Sequence, residues 1–130
     1  MQVVAFLGRI VLGLFFVQSG WHHLRDVPGM AQYAGSRKVP APSVAVAFTG
    51  LMLLYSGLVL LAGTPALWAS GLIVAAVALL GFNVGVHNFW TDQDPGTRQM
   101  NQLQFNKNLA IVGGLLALLA ASPTVWSLHL

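Results

Sequence analysis

The sequence predicts an all-α integral membrane protein, a four-helix transmembrane bundle forming one domain over residues 1–130. Three observations carry this reading. Hydrophobic residues make up 56% of the chain and charged residues 7%, against about 25% charged in soluble domains. In water such a composition would expose apolar patches large enough to aggregate. Four stretches, residues 3–24, 43–62, 66–89 and 105–121, are long and apolar enough to cross about 30 Å of hydrocarbon. The charges avoid those stretches: there is no Glu, the acids are Asp26, Asp92 and Asp94, and of the six bases only Arg9 and Lys107 fall within a span.

Each span must be helical, because lipid offers backbone N–H and C=O groups no partners. The first begins without a basic leader or a small-residue cleavage site and reads as a retained span. Residues 25–42 follow, with three prolines and three bases. A short interfacial helix is expected there over Pro28–Lys38, with the proline in its first turn. Gly63-Thr64-Pro65 is a tight turn between the second and third spans. Residues 91–104, TDQDPGTRQMNQLQ, read as a polar connection turning at Asp94-Pro95-Gly96. Gly81 and Gly85 form a GxxxG pair, read as close packing within the bundle. Trp68 and Trp126 read as interfacial anchors.

Four spans put both long connections on one side of the membrane. That side carries Arg25, Arg37, Lys38, Arg98 and Lys107. The excess of bases predicts that the long connections are cytoplasmic and both termini outside. Six bases scattered around spans make no nucleic-acid surface. With no Cys, disulfides, Cys-ligated iron–sulfur clusters and covalent haem attachment are excluded.

Ionisable side chains inside a membrane are costly and mark function. In the first span Arg9, Gly13, Phe16, Gly20 and His23 share a helical stripe, and Gln18, His22 and Arg25 another. Asn83, His87 and Trp90 are spaced i, i+4, i+7, and Gln104, Lys107 and Asn108 share a face of the fourth span. His22, His23, Asn83, His87, Trp90, Gln104, Lys107 and Asn108 all lie near the polar end. The sequence therefore predicts a pocket at that end, between spans one, three and four, covered by the long connections. His22 and His23 point about 100° apart on a helix, so no metal site is assigned.

The first span, GRIVLGLFFVQSGWHHL, together with HNFW at 87–90 and QFNKNLAIVGGLL at 104–116, resembles the DoxX family of small bacterial inner-membrane proteins. The resemblance implies four spans and a link to redox complexes, with quinone as a suspected ligand. It carries recurrent polar positions onto Arg9, His87, Trp90, Gln104, Lys107 and Asn108. His22 and His23 stand where relatives often have Gln and Lys.

Three readings follow. In the first, His87 and Lys107 are the reactive pair at a quinone headgroup, Arg9, Asn83, Gln104 and Asn108 bind, Trp90 stacks on the ring, and His22 and His23 are secondary. In the second, the chain anchors or assembles a partner redox subunit, or forms a homo-oligomer. The third, ranked lower because interfacial histidines are common, is a b-type haem held by His87 and His22 or His23. A small-solute path would need an oligomer.

Overall fold

The computed structural model describes residues 2–120. Five α-helices follow in order: α1 (Gln2–Arg25), α2 (Val27–Ser36), α3 (Pro42–Ala62), α4 (Trp68–Gly85) and α5 (Pro95–Ala120), with a 3-10 turn at Phe89–Thr91 before α5. There is no strand among the described residues. Four helical segments are long and apolar enough to cross a membrane: Val3–Arg25, Pro42–Ala62, Trp68–Thr91 and Pro95–Ala120. Ala121, the expected end of the fourth span, and Trp126 lie outside the described residues.

Local chemistry sets the ends. Asp26 caps α2, its carboxylate accepting from the Gly29 N–H at 3.1 Å. Gly63 ends α3 in the left-handed region (φ 65°), where its N–H donates to the Val59 carbonyl at 3.1 Å. Asp94 opens α5 by accepting from the Thr97 N–H and hydroxyl, both at 2.8 Å, with Pro95 in the first turn, where its missing N–H costs nothing.

Two expected boundaries move. Helix α4 stops at Gly85, so Asn83, His87 and Trp90 do not share a helix face. The freed carbonyls of Val86 and Asn88 are taken by Arg37, at 3.0 and 3.2 Å, which lets the backbone leave the helix without losing its partners. Helix α5 begins ten residues before Phe105, so most of the supposed polar connection is helix standing beyond the apolar run.

The long helices form a row. Helix α1 packs on α3, α3 on α4, and α4 on α5, while α2 lies across α3. The end helices, α1 and α5, do not pack along their lengths. The core is Phe16, Leu53, Leu60, Leu72 and Leu115, each at most 2% exposed. Trp68 is half-buried against that core. Val3, Leu7, Val11 and Leu14 on α1 and Val44, Phe48 and Leu51 on α3 are largely exposed, as a lipid-facing surface requires.

Close approach belongs to α1 and α3, at Gly13, Gly20, Gly50 and Gly57. Gly81 and Gly85 do not tighten the bundle as expected: a Cβ on Gly81 would meet nothing within 4 Å, and one on Gly85 only a Val39 methyl at 3.6 Å.

Candidate functional site

A cavity of about 540 Å³ opens at the polar end. Helix α1 contributes Phe15, Ser19, His22 and His23, and α2 contributes Met30 and Tyr33 above. Leu53 of α3 with Leu79 and Phe82 of α4 form the back, and Gln104, Lys107 and Asn108 of α5 face α1. His87 lies on the short segment after α4. The polar groups gather at the mouth and the apolar ones at depth.

The histidine protons are set by their partners. His23 Nδ1 lies 2.7 Å from the Ser19 carbonyl oxygen. A carbonyl only accepts, so Nδ1 carries the hydrogen. At His87 the chain of inference is longer. Asp92 is ion-paired to Arg37, and Asn101 donates its amide N–H to the Asp92 carboxylate at 2.9 Å. The Asn101 oxygen is therefore turned the other way. It accepts from the Tyr33 hydroxyl and from His87 Nδ1, both at 3.2 Å. In each neutral ring Nε2 is left as the bare nitrogen, on a residue that lines the cavity. The Phe82 ring lies 4.9 Å from the His23 ring and 6.4 Å from that of His87, centre to centre.

Helix α5 adds a cation and an amide. Lys107 Nζ donates to Gln104 Oε1 at 2.6 Å, which leaves two ammonium hydrogens. Asn108 donates to Asn83 Oδ1 at 3.0 Å, and Asn83 donates to the Phe105 carbonyl at 3.1 Å. Asn83 is 1% exposed. It joins α4 to α5 and holds Asn108 in place behind the wall.

Two expected residues lie elsewhere. Trp90 is 52% exposed and packs edge-on against Phe89 and Phe105, 5.5 and 5.9 Å away, so the ring beside the histidines is Phe82. Arg9 is buried on the predicted inward stripe, over the Phe6 ring at 5.2 Å and beside Gly63. That is the far end of α1, about 21 Å from His23 at the helical rise, and no part of this cavity. His22 sits at the exposed rim.

Sequence reasoning missed Tyr33, Arg37, Asp92 and Asn101. A signal existed for one: Asn101, Gln104 and Asn108 fall at i, i+3 and i+7, one helix face, once α5 is allowed to start early. Among the described residues no group of three or more His, Cys, Asp or Glu side chains gathers.

These features define a four-span membrane protein with a polar-ended intramembrane cavity. The DoxX family profile matches residues 4–88, and the chain belongs to the DoxX family. It is 27% identical, over 98% of its own length and 90% of the other protein's, to the inner membrane protein YqjF of Escherichia coli strain K12. No solved structure matches it.

Proposed function

We propose that the cavity binds the headgroup of a membrane quinone and that the chain works as the quinone-binding part of a membrane redox complex. The observation that carries this reading is the pair of histidines anchored through Nδ1. Each presents Nε2, which accepts a hydrogen bond from a hydroxyl of the reduced ring when neutral and donates to a carbonyl of the oxidised ring when protonated. Imidazole exchanges that proton near neutrality. Lys107 supplies a fixed cationic donor on the opposite wall, and Phe82 a flat apolar surface for the ring. The volume falls within the range of small-molecule sites, about 300–1,000 Å³. A quinone supplies the redox chemistry; these residues orient it and hold its protons, and a partner subunit exchanges the electrons.

Quinone affinity tests the reading. Titration of the purified protein with a short-chain benzoquinone, followed by quenching of tryptophan fluorescence, is expected to show binding. His87→Ala and Lys107→Ala should each weaken it about tenfold, the worth of one hydrogen bond to a polar ligand. Unchanged affinity in both variants overturns it.

We further infer that the cavity mouth faces the cytoplasm of a cell with an inner membrane, from the bases on the long connections. In a Thr64→Cys variant, a membrane-impermeant maleimide should label the cysteine from outside intact cells. Labelling only from the cytoplasmic face reverses the orientation.

A further inference from the structure

The cavity is walled unequally. Its back is the packed pair α3 and α4. Above it lies α2, fastened by Tyr33 to Asn101 and by Arg37 to Asp92, Asn88 and the Val86 carbonyl. Its two flanks are α1 and α5, the ends of the helix row, whose backbones do not run against each other, although Phe16, Val112 and Leu115 join them in one core. No closely packed pair of helices shuts the side of the cavity between these two. Polarity is graded along that side: His22, Asp26, Gln104 and Lys107 stand at the mouth, and Phe15, Leu53 and Leu79 at depth.

From this geometry we infer that the ligand is a lipid-dissolved amphiphile that reaches the cavity sideways, between α1 and α5. Its polar ring lies toward the mouth, and its hydrocarbon tail leaves through the gap into the membrane. The inference rests on the quinone reading and narrows it to long-tailed quinones. A water-soluble ligand would need no open flank. A tailed one must keep its tail in hydrocarbon, because each buried methylene contributes about 0.8 kcal/mol. A sealed four-helix bundle would have no place for the tail.

The absence of cysteine makes the test clean. Gln18 on α1 and Ala110 on α5 are exposed and lie outside the cavity wall. In a Gln18→Cys/Ala110→Cys variant, a bis-maleimide should join the two helices across the gap within one chain, as mass spectrometry would show. Before closure, a decyl-tailed benzoquinone and its tailless analogue should both bind as they do to the parent. After closure, association of the tailed quinone should slow about tenfold or more, while the tailless analogue is unaffected; such effects fall on the on-rate when access is restricted.

Equal rates for the tailed quinone before and after closure overturn the route. So does equal slowing of both ligands, or failure of the pair to close within one chain. Binding of neither ligand to the unclosed variant and to the parent overturns the quinone reading itself, and the route with it.

Discussion

Gly57→Ala is expected to destabilise the protein by about 3 kcal/mol, the upper end for overpacking a filled interior. A Cβ at Gly57 would lie 2.5 Å from the Val17 backbone nitrogen and 2.7 Å from the Gly13 carbonyl oxygen. Two turns away, a Cβ at Gly20 would lie 2.5 Å from the Leu54 nitrogen and 2.7 Å from the Gly50 oxygen. The obstacles are backbone atoms, which cannot rotate aside, so α1 and α3 must separate along their whole contact. That separation also uncovers Phe16 in the core and Leu53 at the back of the cavity. Thermal unfolding in detergent checks it, with Gly113→Ala as the reference, since a Cβ there meets nothing within 4 Å. Equal melting temperatures for the two variants would show that α1 and α3 are not in backbone contact.

Arg37→Ala is the second large expectation. This one side chain bonds to the Val86 and Asn88 carbonyls, the Asn88 amide oxygen and the Asp92 carboxylate. Its removal takes the donor from the half-buried Val86 carbonyl and leaves the Asp92 carboxylate with Asn101 alone, and each such loss is costly. The melting temperature should fall on the order of 10 °C, and His87, one residue from Val86, should lose its fixed position. Quinone affinity should therefore fall in Arg37→Ala although residue 37 lines no part of the cavity.

The same pair gives a pH signature. Hydrogen bonds from Arg37 first, and from Asn101 second, hold the Asp92 carboxyl below the usual carboxylate range. A lowered folded value means the stabilisation is complete above the unfolded value, about 3.9. It is lost progressively as pH falls through that value to the folded one. Asp92→Asn should remove this acid-side loss from the melting profile. A profile in Asp92→Asn identical to the parent's would show that Asp92 is not the group responsible.

The spans were legible because hydrocarbon imposes both length and composition. The inward stripe of α1 was legible from helical spacing, and residues 9, 13, 16 and 20 are buried. What could not be read was where helices stop for reasons set by distant residues. Nothing local marks Gly85 as an end; the carbonyls that leave the helix there are satisfied by Arg37, 49 positions earlier. The start of α5 was hidden for the opposite reason. Hydropathy finds the part of a helix that lies in lipid, and the first turns of α5 are polar. Those two boundaries displaced Trp90 from its expected face and concealed Asn101. Depth along the span already set Arg9 apart from His23 on their shared stripe, and Arg9 lies beside Gly63 at the other end of α1.

Asn101 has a consequence for inheritance. Its amide must give a hydrogen to Asp92 on one side and take hydrogens from Tyr33 and His87 on the other. Aspartate in its place would have no hydrogen to give, and leucine neither function. Three separated stretches of chain thus meet at one two-sided group, and a change at any of them removes a partner from the rest. Across descendants of this sequence, positions 33, 37, 87, 92 and 101 are expected to persist or be replaced together, as a single heritable character.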